Sequence, residues 1–585
     1  MFPYVSYNFW DKISLDIYKK VISGQLKTEF SERNSVFSLG LLIVCILYLS
    51  LAAYQLGLPG LHYDEAREAG INALELRTGA PVTAFRGASI TLAGQQWPLM
   101  VQDYIGALNV YLAWPFLAAT GIGVPNLRIL SILTGLATLL TLERTITAWL
   151  TYHSRPPLHY PLSTIHCPLS TIHYPLIPVL LLAISPSFIF WSRQGIFVTN
   201  LTQPLCLICV WQGIQWLHSG KRWALLRSAM AAGFALYAKL LAIWIIAPFA
   251  LLLASWWLYQ RLQNSKTIPP LSLKFTILAL LAGLIPLLPL LIFNWQTGGT
   301  ISALFGNLGQ SYYGVDNRAI FTNMPIRWEQ LLQTVRGDHF WYLGGLYGNL
   351  LVPWLAGTFL VWGLWRRWRL LVAPLALITA ALTLSLFTIS DLFVTHYALI
   401  QPFLIGTVCL GLEKPSFQEK NRFLKIRSIF IGFLLLLWIG LDLNATFRYH
   451  NALTESGGLA DHSDATYHLA YHLQYNGLGS PIALDWGLDA PIRYLSQGTV
   501  TPIEIFGYTS TVEPDAAFEE RLQLFLDNPD NVYLLHAPNA TVFAGRRERF
   551  LSLAQTMGLE PTLQQIFSQR DGTPLFELWR VYPIF

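Results

Sequence analysis

Charge is what this sequence lacks most. Asp, Glu, Lys and Arg make up 12% of its 585 residues, while 53% are hydrophobic. A soluble globular protein carries roughly 25% charged residues. So little charge cannot solvate the surface of a soluble fold this large, and most of the chain must sit in a membrane. Cysteine is also scarce. Of Cys45, Cys167, Cys206, Cys209 and Cys409, four lie in apolar segments and Cys167 lies in a repeat, which excludes a legible disulfide framework. Cys206 and Cys209 are spaced C-x-x-C, but inside a hydrophobic helix without neighbouring histidines, a poor setting for metal or redox chemistry. A cleavable leader is not expected either: residues 1–36 are polar and mixed in charge, and the first apolar run, 37–56, is long enough to span. The net charge of +5 is too small for a nucleic-acid footprint and reads instead as an orientation signal.

Apolar runs are plentiful. After 37–56, candidate spans lie near 104–120, 127–149, 176–192, 197–217, 223–238, 240–259, 274–295, 346–365, 370–389, 393–412 and 426–446. Basic clusters occur at Lys12/Lys19/Lys20/Lys27/Arg33, Lys221/Arg222/Arg227, Arg261/Lys266/Lys274, Arg366/Arg367/Arg369 and Lys414/Lys420/Arg422/Lys425/Arg427. They fall on one side of the membrane only if one early segment fails to cross. The short, aromatic 104–120 segment, interrupted by Pro115, is that segment, leaving about eleven transmembrane helices plus juxtamembrane ones. Every lysine but Lys239 belongs to those clusters, and none follows residue 446. The positive-inside rule then puts the N-terminus in the cytoplasm and the C-terminus outside.

Three regions stand apart from the spans. Residues 160–176 read YPLSTIH-CPLSTIH-YPL, a duplication whose prolines forbid a heptad helix. It reads as an expanded cytoplasmic loop, with His159, His166 and His173 spaced by the repeat itself. The outer loop 296–345 is rich in Gly, Asn, Tyr and Trp and too long for a mere connection. Past 446 the composition turns soluble. Strands at 481–486 and 532–536, helices at 465–475, 514–528 and 546–558, and late strands at 563–567 and 575–581 predict a small extracytoplasmic α/β domain over 447–585. His468 and His472 in the first of these helices belong to a packing face. The predicted organisation is thus a cytoplasmic segment 1–36, a membrane domain 37–446 with outer loops 58–126 and 296–345, and the α/β domain.

The polar groups that this topology collects at the outer boundary are Asp64, Glu65, Arg67, Glu68, Asp103, Arg128, Arg193, Asn200, Lys239, Asp391 and His396. Charge beside hydrocarbon is costly, so convergence at one depth points to a site. Arginine, lysine and histidine suit an anionic group such as a lipid phosphate. Adjacent carboxylates suit proton abstraction, or oxygen ligation of a divalent cation. Together they describe attack by an acceptor on a carbon whose leaving group is a lipid-borne phosphate. A transporter or flippase of an anionic lipid-linked solute is the alternative, but it calls for charged or broken helices at the midplane and an internal repeat. Glu143 and Arg144 are the only acid–base pair inside a span, near its cytoplasmic end. A non-catalytic envelope scaffold is the third reading and leaves the convergence without a reason.

One span, then Asp64-Glu65-Ala66-Arg67 (D-E-x-R), an amphipathic juxtamembrane segment and Arg128-Ile129-Leu130-Ser131 resemble the GT-C superfamily. The resemblance is to its family 39 glycosyltransferases, the protein mannosyltransferases and lipid A aminoarabinose transferases. Ser185-Pro186-Ser187, Ser192-Arg193 with Asn200, Leu236-Tyr237-Ala238-Lys239, and His396-Tyr397 with Pro402 extend it over about 37–412. The resemblance implies transfer of a sugar from a polyprenyl-phosphate donor to a lipid, glycan or protein acceptor at the outer face of a cell (inner) membrane. It implies Asp64 as the base, with Glu65 its partner or, with Asp64, a ligand to Mg or Mn should a cation take part. Arg67, Arg193, Lys239 and His396 would bind the donor phosphate, with Asp103, Arg128, Asn200 and Asp391 as accessory residues. Single displacement with one base and no covalent nucleophile makes the expected reaction inverting. Asn200 departs from the family pattern, which often has an aspartate there, and residues 98–103 replace its Pro-Pro entry.

Overall fold

A computed structural model describes residues 25–154, 175–194, 199–263, 271–307, 309, 315–387, 393–412, 422–508 and 510–584. The 160–176 repeat with its histidines, Cys167, Gln310 to Tyr313 and Asp391 lie outside them, apart from the last two residues of the repeat. Helices dominate up to Ser456, and a mixed sheet follows.

Among the described residues, five helices are long and apolar enough to cross a membrane: Val124–His153, Leu240–Leu262, Leu273–Thr297, Val352–Ser385 and Ile426–Ser456. A sixth crossing is made if the bent pair Leu176–Ile184 and Pro186–Gln194, turned by 66° at Ser185, counts as one span. The proline after Ser185 forces that residue out of the helical region and sets the bend. Lipid-facing side chains such as Leu42, Ile43, Leu251, Leu280, Ile285 and Leu436 are exposed, as apolar helices surrounded by hydrocarbon require. The helix Val352–Ser385 contains one non-helical residue, Arg367 (φ −137°, ψ 31°). Leu371 packs against Gly363, whereas eight residues of continuous helix would separate them by about 12 Å. The chain therefore folds back at Arg367, as the sequence division into 346–365 and 370–389 expects. Arg367 secures the turn by donating to the carbonyls of Leu410 and Leu412.

The segment expected not to cross forms a 13-residue helix, Leu108–Thr120. At about 20 Å it falls short of a roughly 30 Å hydrocarbon core. Two small antiparallel hairpins precede it: β1 (Ser89–Leu92) with β2 (Gln95–Pro98), and β3 (Met100–Gln102) with β4 (Ile105–Gly106). A Cβ on Gly106 would lie 2.2 Å from the Tyr237 carbonyl. Only glycine lets the hairpin lie against the end of the Arg222–Ala238 helix.

The C-terminal region carries β5 (Ile482–Ala483), β6 (Ile503–Glu504), β7 (Tyr533–His536), β8 (Leu559–Ser568) and β9 (Pro574–Pro583). They form one sheet in the order β6-β5-β7-β9-β8. The first three are parallel, and the long β8–β9 hairpin closes one side antiparallel to β7. Helix Asp489–Leu495 and the two-residue β6 are additions to the sequence reading; both are too short to leave a periodic signature. The region does not stand clear of the membrane part. Tyr494 and Ala490 share a buried apolar cluster with Leu61, Ala66, Ala69 and Leu127, and Tyr494 packs on Gly70.

The two regions meet backbone to backbone at Gly60, where a Cβ would lie 2.0 Å from the Ser463 carbonyl oxygen. Backbone faces backbone there, so nothing can rotate away. Gly60→Ala is expected to cost about 1–3 kcal/mol, read as a lowered unfolding temperature in detergent. An unchanged midpoint would show that the junction between the two regions yields freely.

Candidate active site

The Asp64 loop follows the helix Gln25–Ala53, whose apolar part is Leu39–Ala53. His62 caps a single α-turn, Tyr63–Glu65, by accepting the Asp64 N–H at its Nδ1 (3.2 Å). A π-helical turn, Ala66–Gly70, follows before regular helix resumes over Ile71–Thr78. Such wide turns concentrate at functional sites because they re-aim side chains. Asp64 and Glu68 both act electrostatically on Lys239, whereas Arg67 acts on Tyr63, Asp489 and Glu504. The loop thus presents two carboxylates to the membrane part and one guanidinium to the C-terminal region.

Glu65 faces inward, and both its carboxylate oxygens are engaged. Arg128 Nε donates to Oε1 at 2.7 Å and Nη2 to Oε2 at 2.9 Å. The remaining Arg128 hydrogens go to the carbonyls of Leu56 (2.8 Å), Pro59 (2.9 Å) and Gly60 (3.3 Å). A guanidinium has five N–H groups, and all five are used. Arg193, also fully buried, donates to the Gln55 and Leu58 carbonyls at 2.6 and 2.9 Å and meets His450 at 3.4 Å. Two arginines from two helices therefore pin residues 55–65. Neither is turned to Lys239.

Lys239 occupies the break between Arg222–Ala238 and the next span, in extended conformation (φ −157°, ψ 125°). The hairpin fixes it: Leu240 N–H donates to the Tyr104 carbonyl at 3.0 Å, and Tyr237 Oη donates to Leu99 O at 2.9 Å. Its ammonium donates to Thr199 Oγ1 (3.3 Å). Burial is the largest influence and lowers its pKa to about 8, against the pull of Glu68 and Asp64. Burial likewise raises the Asp64 carboxyl above its ordinary value, opposed by His62 and Lys239 and aided by Asp461.

His396 completes this side. It is buried near the charges of Lys239 and Arg327, and its Nδ1 accepts the Phe393 N–H at 3.1 Å. Arg327 is a residue that sequence reasoning missed. It lies on the helix Ile320–Arg336 within the 296–345 loop and is buried. Phe321, Met324, Ile326 and Trp328 on that helix are exposed, the pattern of a helix lying in the membrane interface. A basic residue on the buried side of such a helix was the available signal.

The accessory candidates scatter. Asp103 pairs with Arg86 at 2.8 Å, and its carbonyl receives the Thr300 hydroxyl at 2.6 Å. Asn200 donates to the Trp191 carbonyl and to Ser131 Oγ. Arg128 belongs to the pair with Glu65. Above the loop, the rings of Tyr342, His462 and His62 stack with centroids 3.8 and 4.3 Å apart, and Gln194 joins Tyr342 and His462 by hydrogen bonds. Among the described residues no three His, Cys, Asp or Glu side chains converge as a metal cage would require. With both Glu65 oxygens held by Arg128, Asp64 and Glu65 do not form a paired ligand set.

No protein-family model and no curated protein matches the sequence. Solved structures do. ArnT from Cupriavidus metallidurans bound to undecaprenyl phosphate superposes with a TM-score of 0.54 at 12% identity, over 93% of this chain and 97% of that one. Arabinofuranosyltransferase AftD from Mycobacteria matches at 13% identity with a TM-score of 0.44, over 93% of this chain and 41% of AftD. The chain has the GT-C fold and is a multi-pass membrane protein.

Breaking the Glu65–Arg128 pair leaves a charge buried without its partner. Glu65→Gln or Arg128→Gln is expected to lose about 3–5 kcal/mol. Glu65→Leu combined with Arg128→Met should recover much of that in thermal unfolding. A single variant as stable as the wild type would remove the pair from the scaffold.

Proposed function

We propose that this chain is a glycosyltransferase that moves a sugar from a polyprenyl-phosphate carrier to an acceptor on the extracytoplasmic face, by inversion. The observation that carries the reading is the opposition of Asp64 and Glu68 to Lys239, His396 and Arg327 in a buried setting. The N-terminus lies in the cytoplasm, and the 447–585 region stands outside as its own α/β domain.

In this reaction the acceptor oxygen bonds to the anomeric carbon as the carbon–phosphate oxygen bond breaks. The electron pair leaves with the phosphate, and the acceptor proton passes to Asp64. A carboxylate made more basic by burial suits that task. Lys239 and Arg327 stabilise the charge arriving on the phosphate. His396, neutral and accepting at Nδ1, carries its proton on Nε2 and supplies a further donor. Glu65 positions Asp64 through Arg128 and does not meet the reactants. Arg193 has the same supporting role, and Arg67 belongs to the acceptor side.

Asp64→Asn should reduce sugar transfer from a labelled polyprenyl-phosphate donor by about 10²–10⁴-fold while leaving the unfolding temperature in place. Transfer at the wild-type rate would rule Asp64 out as the base.

Lys239 makes the donor site pH-sensitive. Its pKa near 8 in the free protein rises beside a bound phosphate, so binding above pH 8 takes up a proton. Undecaprenyl phosphate affinity should hold below pH 8 and fall by up to about tenfold per pH unit above it. In Lys239→Arg the decline should vanish. A wild-type affinity flat to pH 10 would separate Lys239 from the phosphate.

A further inference from the structure

A second constellation lies one residue along the chain from Asp64, on the opposite side of its loop. The Tyr63 ring meets Trp486 of the C-terminal region with centroids 4.9 Å apart and planes tilted by 43°. Trp486 also reaches His62, at 6.2 Å. The Tyr63 hydroxyl lies beside that of Tyr508, and Tyr508 Oη donates to Glu504 Oε2 at 2.8 Å. Glu504 sits on β6, the edge strand of the sheet, whose outer side is unpaired.

Two carboxylate oxygens in this cluster accept no hydrogen bond, although one of them is ion-paired. Glu504 Oε1 and Asp489 Oδ1 are shielded from solvent without a hydrogen bond. Asp489 Oδ1 lies 3.6 Å from Arg493 Nε, while Arg493 Nη1 points to Glu75 Oε1 and Thr83 Oγ1, both at 3.3 Å. Burial, with Asp489 beside it, pushes the Glu504 carboxyl up to about 7. An acceptor buried without a donor is costly, and native structures leave few of them without a purpose. Charge does not supply the missing partner. Arg67 and Arg493 already balance Asp489 and Glu504, so a cationic ligand is not called for. What fits is a neutral molecule bearing several hydroxyl donors and an apolar face for the aromatic rings.

We infer that this aromatic and acidic cluster is the acceptor subsite and that the acceptor is a carbohydrate. Its ring lies against Trp486 and Tyr63, and its hydroxyls donate to Glu504 and Asp489. The inference rests on the glycosyltransferase reading for the meaning of "acceptor", but the sugar-binding claim stands on the cluster itself. His62 bridges the two sides, its Nδ1 3.9 Å from Asp64 Oδ2 and its ring 6.2 Å from Trp486, so a sugar seated on Trp486 lies one imidazole away from Asp64. The C-terminal region then has a function the membrane helices lack: it selects what is glycosylated.

The test uses the full chain in lipid nanodiscs and two readouts. The first is direct binding of neutral trisaccharides (maltotriose, cellotriose, mannotriose and xylotriose) by saturation-transfer NMR. Wild type should bind at least one, and both Glu504→Gln and Asp489→Asn should weaken it by about tenfold, the loss of one hydrogen bond to a charged group. Binding of undecaprenyl phosphate should stay unchanged in both. The second is transfer of labelled sugar from a polyprenyl-phosphate donor to the bound trisaccharide, to a peptide mixture or to a lipid extract. Label on the trisaccharide, with its KM raised in Glu504→Gln, supports the subsite. Label on peptide or lipid alone overturns it, as does wild-type protein that binds no trisaccharide. Trisaccharide binding that depends on Glu504, with no label leaving any carrier, keeps the sugar site and removes the transferase reading.

Discussion

The structure depends on one buried ion pair, Glu65 with Arg128. Its cost is high, since two charges are withdrawn from water at the edge of a membrane. It is tolerated because every donor of the guanidinium is used, two of them on the carboxylate and three on the carbonyls of residues 56, 59 and 60. The pair therefore does more than join two helices. It fixes the path of the chain between the first span and the short helix that follows, and Asp64 is the residue inside that path with nowhere else to go. Arg193 repeats the device on the carbonyls of residues 55 and 58. A carboxylate held this way keeps its orientation without loop rearrangement, which is what the proposed role of Asp64 as a base requires.

Around that fixed point the residues divide into two faces. Towards the membrane, Asp64 and Glu68 look at Lys239, whose place is set by a hairpin edge and a glycine that lets it approach. Towards the C-terminal region, Tyr63 and Arg67 meet Trp486, Asp489 and Glu504. The π-turn over Ala66–Gly70 makes the division possible by re-phasing the helix within one turn. The sheet region thus borders the candidate site and is joined to the Asp64 loop by the Tyr342–His462–His62 stack.

Much of this was legible from residues alone, because depth and periodicity are written in hydropathy. The long apolar helices, the shortness of the helix within 104–120, the break at Arg367 and the strands near 481–486 and 532–536 follow from apolar run length, whereas of about eleven expected crossings five or six helices among the described residues are long and apolar enough. What hydropathy cannot encode is which polar groups at one depth face each other. Arg193 and Lys239 look equivalent in the sequence, yet one holds backbone carbonyls and the other faces carboxylates. Glu65 reads as half of a carboxylate pair until the arginine 63 residues later is seen to occupy it. Arg327 hid in a loop whose aromatics drew attention away from its amphipathic helix. The meeting of Tyr63 with Trp486 joins positions more than 400 residues apart, and no local pattern announces it.

The most direct measurement is a cryo-EM structure of the chain in nanodiscs with undecaprenyl phosphate bound. The account predicts the phosphate between Lys239, His396 and Arg327, with Asp64 facing it across the site and the Glu65–Arg128 pair unchanged. A phosphate seated instead on Arg193 or Arg67, with Lys239 turned away, would contradict it.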